Sequence, residues 1–340
     1  MNNKNPTISV ILLENCDPNI KKFSKCIESY INQDYENYEI ILIIWGKGKN
    51  NIYNVFREKN IPLNKISIFR YKGDPGYAKG NNLGVKKAKG QFIIISNPDV
   101  EVNSNFLNDL IGTYNNLKKK KLTDKLIIGP RICNKEGVIE YSQRWINYLG
   151  FGKMDISKST KIKRTMVSSG CNFFIKKKCY LKLDGLDEKY FMYKEDVDFS
   201  IRAYSMDFLQ YINNSIHLYH LKSDEEYKLN SFKYYYHERN RIIMTLEHSK
   251  KKKKMLLIHI IFEAIHWIFA LKKGFIKERL QIYKYIFQNI FNLLKPSGKE
   301  NEIFDRFYDM KGIFNEVPLN SFNFKLINFF SRILFYFYHL

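Results

Sequence analysis

A short turn in the first half of the chain places a carboxylate where a metal ion could bind. Asn97-Pro98-Asp99 follows the apolar run at residues 92–95. Proline has no amide hydrogen to donate to a sheet, so we expect the strand to stop there and to present Asp99 at its tip. A carboxylate in that position suits a hard divalent cation such as Mg²⁺ or Mn²⁺. The same residues are common in ordinary turns, so the turn alone is weak evidence for a metal site.

Two further groups of polar residues could take part in chemistry. Glu195 and Asp196 precede apolar residues that recur at helical spacing from Val197, which predicts that both acids lie in the first turn of a helix. One of them could act as a general base toward a hydroxyl group, although acidic residues also favour helix N-termini for electrostatic reasons alone. His220 follows the apolar run that ends at Leu218, and its imidazole could bind a metal or a phosphate.

The elements that would position these side chains alternate between strand and helix over the first hundred residues. Apolar runs predict strands at residues 8–13, 40–45, 66–69 and 92–95, with helices at 20–31, 51–60 and 76–89 between them. Asp17-Pro18 is predicted to cap the first of these helices. Continuous apolar strands separated by helices indicate a mostly parallel sheet covered on both faces, whose binding sites lie at the carboxyl ends of the strands.

The rest of the chain predicts a change of architecture. From about residue 125 to residue 219 the pattern is α+β, with strands near 126–128, 168–175 and 209–218. Beyond Asp224 the chain becomes helical, basic and aromatic. We therefore predict a catalytic domain at residues 1–224 and a second, helical region at residues 225–340.

Net charge and cysteine content narrow the expected partners and the expected cellular location. The formal net charge is +22, which calls for an anionic partner such as phosphate, nucleic acid or a lipid surface. We find no motif for binding RNA or DNA, so no nucleic-acid partner is expected. The five cysteines are odd in number and form no Cys-x-x-Cys pair, and the N-terminus leads directly into a buried-strand pattern. These features favour a catalytic region in the cytosol.

The basic C-terminal region is predicted to lie on a membrane. The five lysines at 250–254 precede an apolar stretch at 255–271 whose length is borderline for crossing a bilayer. His259, Glu263 and His266 fall on one stripe of that helix, which favours a position in the membrane interface. A final segment with Lys325, Asn328 and Arg332 along one side repeats the pattern, and both suit an anionic surface. The alternative is that these helices pack on the catalytic domain or form an oligomer interface.

A series of motifs extends over roughly residues 7 to 245. In chain order they are Ser9-Val10-Ile11-Leu12, Gly76-Tyr77-Ala78-Lys79-Gly80-Asn81-Asn82-Leu83-Gly84, Asn97-Pro98-Asp99-Val100, Ile128-Gly129-Pro130-Arg131, Ser169-Gly170-Cys171, Gly185-Leu186-Asp187-Glu188, Glu195-Asp196-Val197-Asp198 and Arg239-Asn240-Arg241. Together they resemble glycosyltransferase family 2, and in particular its rhamnosyltransferase-like branch. The resemblance implies a GT-A-type α/β fold and a nucleotide-diphosphate sugar as donor. It also implies an inverting single displacement in which an acceptor hydroxyl attacks the anomeric carbon.

The same resemblance assigns roles to residues of this chain. Asp99 would bind the metal that stabilises the departing diphosphate, and Asp196, or its neighbour Glu195, would be the base. His220 would act at the metal or, like Arg239, neutralise the diphosphate, the arginine by a bidentate contact. The residues predicted beside the donor are Asn81, Asn82 and Asn97.

Two positions depart from the family pattern. Family members usually have Asn-Tyr-Asn after the first strand and an Asp-Asn-Gly-Ser-like turn after the second, whose aspartate helps to recognise the base. Here those positions are Glu14-Asn15-Cys16 and Ile44-Trp45-Gly46-Lys47. Trp45 could compensate by stacking on the base, or it could simply fill the core.

The leading hypothesis is therefore an inverting glycosyltransferase with rhamnose as a candidate sugar. Its acceptor would be a glycan or a lipid-linked molecule, in polysaccharide or cell-envelope synthesis. The enzyme would be cytoplasmic and peripheral on the inner face of the cell membrane. The competing hypothesis is a catalytically weak relative that acts as a membrane scaffold, for which the altered Ile44-Trp45 turn is the best support.

Overall fold

The structure is a computed structural model that describes residues 7–47, 51–146, 149–156 and 158–300. The chain divides into two compact units. The first consists of Met1–Arg144 and Met154–Lys228, and the second of Trp145–Lys153 and Leu229–Leu340. The second unit thus includes a short segment from the middle of the chain in addition to the C-terminal region. The helix predicted around Lys325 to Arg332 lies outside the described residues.

Strands and helices alternate along the first unit, and three long helices follow in the second. The strands are β1 Ile8–Asn15, β2 Tyr38–Trp45, β3 Ile66–Tyr71, β4 Phe92–Ser96, β5 Val100–Val102, β6 Leu126–Asn134, β7 Ile139–Tyr141, β8 Gln143–Ile146, β9 Gly152–Asp155, β10 Ile162–Arg164, β11 Asn172–Lys176 and β12 Leu209–His220. The helices are α1 Ile20–Ile31, α2 Asn51–Glu58, α3 Gly76–Lys87, α4 Phe106–Lys121, α5 Lys177–Lys182, α6 Glu195–Ser205, α7 Asp224–Tyr227, α8 Ser231–His248, α9 Lys252–Lys273 and α10 Ile276–Leu294.

The first unit is built on one large sheet with the order β10-β12-β6-β11-β4-β1-β2-β3. Strands β4, β1, β2 and β3 run parallel, as the alternation of strand and helix predicts. The other half is mixed, because β11 runs antiparallel to both β4 and β6 while β12 runs parallel to β6. A strand buried on both faces has the same apolar pattern in either direction, so its pattern cannot reveal this difference.

Apolar side chains cover both faces of the sheet. Along β1, Val10 and Leu12 belong to the cluster beneath α1 and α4, while Ile11 and Leu13 belong to the cluster beneath α3. Helix α3 approaches β1 closely because it has glycine at 80 and 84: a Cβ added at Gly84 would lie 2.3 Å from Ile11. The family-like glycines of α3 therefore serve close packing of helix on sheet.

The start of α1 differs from the prediction. Asn19, rather than Asp17-Pro18, is the cap, and its side chain accepts a hydrogen bond from Lys22 N at 3.3 Å. Asp17 N instead donates to Asn15 Oδ1 at 2.9 Å, so Asp17 and Pro18 belong to the turn that leaves β1. Asn is as good an N-cap as Asp, and the amide closest to the first helical turn takes the role.

The second unit buries charged side chains beside its apolar core and also exposes a large set of apolar side chains. Arg241 of α8 is 1% exposed and Arg279 of α10 is 0% exposed. The polar stripe of α9 faces these arginines: Arg241 Nη2 lies 3.0 Å from His266 Nε2, and Arg279 Nε donates to Glu263 Oε2 at 3.0 Å. The stripe predicted to mark the polar side of an interfacial helix is thus directed into the unit.

The opposite side of α9 is apolar and exposed. Its residues Leu257, Ile260, Ile261, Ile268 and Leu271 are 42–59% exposed, and Phe287 and Phe291 of α10 are each 82% exposed. Among the described helices, none alone is long and apolar enough to cross a bilayer. The two parts of α9, Lys252–Ala264 and His266–Lys273, meet at an angle of 43° and reach the required length and composition only together.

Candidate active site

Asp99 lies at the edge of the sheet where the parallel strands end. Strand β4 stops at Ser96, the turn at 97–99 follows, and β5 starts at Val100. β5 pairs antiparallel with the end of β12, which places His220 directly opposite Val100. This ladder brings Asp99 and His220 together although they are far apart in the chain.

The carboxylate of Asp99 and the imidazole of His220 face each other. Asp99 Oδ1 is 3.3 Å from His220 Nε2. Both atoms are buried, and neither meets hydrogen-bond geometry with any of the described residues. On the other side of the ring, His220 Nδ1 is 3.7 Å from Glu140 Oε2 of β7. The imidazole therefore lies between two carboxylates.

Mutual electrostatics set the charge states of this group. Burial by itself would raise the pKa of Asp99, but the nearby His220 and Lys222 lower it below its usual value. Burial would lower the pKa of His220, and the carboxylates of Asp99 and Glu140 raise it. Without a metal, the pair is thus held as carboxylate and imidazolium.

A third carboxylate, Glu14, approaches from the end of β1. Burial, together with the charge of Asp99, raises the pKa of Glu14 to about 7. A hydrogen bond from Asn15 N at 2.7 Å lowers this pKa, but by less than burial raises it. A carboxyl group with that pKa is poised to change its charge when the charge beside it changes. Glu14 stands at the position where the family pattern has asparagine.

The second acidic group begins α6. Three non-glycine residues with positive φ precede the helix: Phe191 (61°), Tyr193 (67°) and Lys194 (71°). Side chains other than glycine rarely adopt this conformation, and such strained residues cluster at functional sites. The strained loop therefore delivers Glu195 and Asp196 to the site.

The two acids of α6 have different surroundings. Burial, with the charge of Asp196 as the next cause, raises the pKa of Glu195 well above its usual value, and Glu195 Oε2 is buried without a hydrogen-bond partner among the described residues. Asp196 Oδ2 accepts from Gly170 N at 3.1 Å and lies 3.4 Å from Arg144 Nη1. The negative charge of the pair is thus placed on Asp196, where an arginine neutralises it.

One segment connects the two acidic groups. Asn97 N donates to Cys171 O at 2.9 Å, in line with the β4–β11 ladder. The adjacent Gly170 donates its amide hydrogen to Asp196. A Cβ at Gly170 would meet Asp196 Cβ at 3.3 Å, so glycine keeps this approach close. The motif Ser169-Gly170-Cys171 therefore joins the Asp99 turn to the start of α6.

The asparagines predicted to lie beside the donor have structural partners. Asn82 Oδ1 accepts from Tyr180 Oη at 2.6 Å and its Nδ2 donates to Leu186 O at 2.8 Å. Asn81 is fully buried and donates to Tyr77 O at 2.9 Å, while its Oδ1 has no hydrogen-bond partner among the described residues. Asn97 is part of the Asp99 turn itself. A direct contact of these three with a donor stays a prediction.

Trp45 and Arg239 are placed differently from each other. Trp45 ends β2 beside Asn15 and packs half-buried against the apolar layer under α3, so core packing accounts for part of its ring. Arg239 belongs to the second unit, where its guanidinium lies 4.7 Å from the centre of the Tyr236 ring and 4.9 Å from that of Tyr285. The roles predicted for both residues stay predictions.

Glu140 and Arg144 are site residues that the sequence analysis missed. Glu140 lies on a strand of only three residues, and Arg144 begins no recognisable motif. The one available signal was position: both lie between the Ile128-Gly129-Pro130-Arg131 and Ser169-Gly170-Cys171 motifs. Their contacts with His220 and Asp196 depend on strand pairing, which the local sequence does not encode.

The residues around Asp99 fit a divalent cation. A carboxylate oxygen and an imidazole nitrogen that face each other, both buried and lacking a hydrogen-bond partner among the described residues, are two ligands of the kind such cations use. Glu140, on the far side of the ring, is placed as outer carboxylates are in many His-metal sites. Asp99 keeps 20% side-chain exposure, so water and substrate oxygens could complete the coordination.

Comparison with known families agrees with this architecture. Residues 15–182 match the model described as "Glycosyl transferase family 2", and the match spans the parallel strands β2, β3 and β4, the Asp99 turn and the Gly170 segment. This part of the chain belongs to glycosyltransferase family 2. The prediction of the family is therefore confirmed, whereas its rhamnosyltransferase-like branch stays a prediction.

Two curated glycosyltransferases are similar to parts of the chain. Over 124 residues it is 35% identical to a dolichyl N-acetyl-α-D-glucosaminyl phosphate 3-β-D-2,3-diacetamido-2,3-dideoxy-β-D-glucuronosyltransferase of Methanococcus voltae, covering 35% of each chain. Over 140 residues it is 26% identical to the low-salt glycan biosynthesis hexosyltransferase Agl10 of Haloferax volcanii, covering 38% of this chain and 44% of the relative. The similarity thus spans less than half the length of either relative.

Two solved structures share the fold. A crystal structure of GalNAc-T7 with UDP, GalNAc and Mn²⁺ superposes with a TM-score of 0.61 at 17% identity, covering 86% of this chain and 58% of the other. Residues 1–349 of TarS from S. aureus in complex with UDP-GlcNAc superpose with a TM-score of 0.52 at 15% identity, covering 88% and 83%. The protein therefore has the predicted GT-A-type α/β fold, followed by a helical region.

Proposed function

We propose that the protein is an inverting, metal-dependent glycosyltransferase that uses a nucleotide-diphosphate sugar. The observation that carries the proposal is the buried pair of Asp99 Oδ1 and His220 Nε2, 3.3 Å apart and joined through the Gly170 segment to Glu195 and Asp196. A polar site of this kind at the carboxyl edge of an α/β sheet is where such folds bind ligands. The family match to residues 15–182 supports the same activity.

The residues of the site have separate roles in the proposed reaction. Asp99 and His220 would hold the cation, whose positive charge would stabilise the diphosphate as it leaves. The imidazole ligand favours a transition metal such as Mn²⁺ over Mg²⁺. Asp196 would accept the proton of the acceptor hydroxyl, since the raised pKa of Glu195 keeps that carboxyl protonated. Arg144 would fix the orientation of Asp196.

The proposed identities of the donor sugar and the acceptor rest on weaker support. Rhamnose as the sugar rests on the motif resemblance alone, and the neighbour TarS is described in complex with UDP-GlcNAc. A lipid-linked acceptor is supported by the name of the Methanococcus voltae relative, which acts on a dolichyl phosphate sugar. The setting we propose is glycan or cell-envelope synthesis.

The second unit would attach the enzyme to the cytosolic face of an anionic membrane. The exposed apolar residues of α9 lie between lysines at 250–254 and at 272–273, and those of α10 follow the second group. Basic residues at the ends of an apolar surface suit an interface between hydrocarbon and anionic headgroups. The inward direction of the polar stripe leaves the outer face of α9 more apolar than its sequence indicates.

The decisive experiment measures donor hydrolysis and transfer with Mn²⁺ over a panel of nucleotide sugars. We expect turnover with at least one donor in wild type and its loss in Asp99→Asn and Asp196→Asn. Glu101→Gln is the matched control, because Glu101 lies on β5 but its carboxylate is exposed and 3.7 Å from Lys25. Folded wild type that neither binds nor turns over any donor would favour the scaffold hypothesis.

A further inference from the structure

A cavity in the second unit has no role in the proposed transfer reaction. Its volume is about 260 Å³, and its walls are formed by Phe151, by Leu229 and Tyr234 near the start of α8, and by Phe262 and Phe269 of α9, together with the polar His237, Glu238 and His266. Ligand pockets for whole small molecules are usually about 300–1,000 Å³. A cavity slightly below that range, with aromatic and aliphatic walls, suits one segment of an apolar chain.

The cavity communicates with the exposed apolar side of the unit. Phe269 and Leu229 line it and are also 40% and 44% exposed. Phe262 and Tyr234, which line its interior, are each only 3% exposed. A ligand would therefore enter past Phe269 and Leu229, from the same surroundings that cover the outer face of α9.

One polar atom at the cavity lacks a partner. Tyr234 is 3% exposed, and its hydroxyl has no partner that meets hydrogen-bond geometry among the described residues; burial raises its pKa, and a hydrogen-bonding contact from Arg279 offsets this only in part. A buried hydroxyl without a partner costs about 1–3 kcal/mol. The carboxylate of Glu238, which also lines the cavity, is already paired with Arg241 at 2.9 Å. Only the tyrosine thus calls for an oxygen from a ligand.

We propose that this cavity binds one hydrocarbon chain of a lipid, with Tyr234 hydrogen-bonded to an oxygen near its head. The inference extends the proposed membrane attachment of the second unit, since a lipid chain is the ligand available at such a surface. The chain could come from an isoprenoid-linked acceptor or from an acyl lipid of the bilayer. Both sources present the same chemistry to the aromatic walls.

The test measures binding of farnesyl phosphate and of dodecyl phosphate by calorimetry, below their micelle concentrations and without vesicles, donor or metal. We expect Leu229→Trp, which narrows the entrance, to weaken binding at least tenfold. Tyr234→Phe should weaken it roughly 2- to 12-fold, the effect of one hydrogen bond. Ile260→Trp is the matched control, because Ile260 is 59% exposed on α9 and does not line the cavity.

The binding results distinguish the two sources of the lipid chain and can overturn the proposal. Preference for farnesyl phosphate would support an isoprenoid acceptor chain, and equal binding would support a bilayer lipid. The proposal is overturned if neither compound binds the folded wild type, or if Leu229→Trp and Ile260→Trp have equal effects. Because no donor and no membrane are present, failure here would leave the proposed transfer activity untouched, and failure of transfer would leave this proposal untouched.

Discussion

The two units of this protein distribute polar and apolar side chains in opposite ways. In the first unit, β1 is apolar in its buried part except for Ser9, and the acidic residues gather at the edge of the sheet, around Asp99. In the second unit, Arg241 and Arg279 are buried together with apolar residues such as Ile243 and Met255, while Phe287 and Phe291 are 82% exposed. The first arrangement is that of a protein in water. The second satisfies its buried charges internally and leaves a large apolar surface exposed in addition to its core, as suits an apolar environment.

Electrostatics explain why the buried charges of the second unit are tolerated. Glu238 accepts from Arg241 at 2.9 Å and lies 3.3 Å from Arg279, which also pairs with Glu263. Two arginines thus face two glutamates, with no excess of either charge. Burial would raise the pKa of Glu238, but Arg241 and the other neighbouring charges lower it, so the carboxylate stays ionised.

The largest effect is expected when one buried charge is removed from the second unit. Replacing Arg279 by methionine leaves Glu263 without its arginine and Glu238 with only Arg241, and we expect a loss of about 3–5 kcal/mol in the free energy of unfolding. Fluorescence of Trp267, whose ring lies 6.0 Å from that of Tyr283, would report the unfolding in urea. The exposed Lys284→Met serves as control. A loss below about 1 kcal/mol would show that the charge cluster does not stabilise the unit.

The corresponding change in the first unit should affect chemistry more than stability. Asp99→Asn keeps the shape of the turn but removes the anionic ligand, and we expect turnover to fall by about 10²–10³-fold, as for other groups that stabilise developing charge. Titration with Mn²⁺ should show weakened metal binding, while the midpoint of thermal unfolding should change little. Normal Mn²⁺ affinity in the variant would mean that the metal binds elsewhere.

The site illustrates how far the sequence could predict this structure. Asp99 could be placed at a strand end because proline interrupts the ladder, and the parallel strands could be predicted from alternation. The position of His220 beside Asp99 depends on the pairing of β5 with β12, which joins segments more than a hundred residues apart. Glu140 reaches the imidazole through another such pairing, and no local pattern marks it.

The second unit shows the same limit in a helix. Periodicity correctly groups His259, Glu263 and His266 on one face of α9, because residues three and four apart are neighbours on a helix. Periodicity cannot show which way that face turns, since the answer depends on Arg241 and Arg279 in other helices. An amphipathic helix in water exposes its polar side, whereas this one buries its polar stripe together with apolar residues such as Ile258 and Phe262 and exposes further apolar residues.

The exposed aromatic residues should contribute to membrane binding and hardly to stability. In Phe287→Lys/Phe291→Lys we expect the free energy of unfolding in water to stay within about 0.5 kcal/mol of wild type, as for surface positions generally. Binding to anionic vesicles should fall about 5-fold or more, because each phenyl ring loses about 1.5 kcal/mol or more of apolar burial and each new lysine regains about 1 kcal/mol at the anionic surface. Vesicle flotation at low salt would measure this binding. Unchanged binding would exclude these residues from the membrane surface.

The last prediction concerns pH. Burial first, and then the charges of Arg241 and Arg279, lower the pKa of His266 to about 3, and burial likewise lowers the pKa of His259. Both imidazoles are therefore neutral in the folded unit but protonate near pH 6.5 when it unfolds. Below that pH the unfolded state binds more protons than the folded state. The contribution of the two neutral histidines to the free energy of unfolding is therefore fully present above pH 6.5 and is lost as the pH drops toward 3.

The expected slope is up to about 1.4 kcal/mol per pH unit for each histidine. Urea unfolding of the second unit, followed by Trp267 fluorescence at pH 7, 6 and 5, would measure this slope. His266→Gln can still hydrogen-bond but cannot titrate, so it should remove about half of the slope. The exposed-face variant Phe287→Lys should keep all of it. A slope that His266→Gln leaves unchanged would mean that other groups, and not this inward-facing stripe, carry the acid sensitivity.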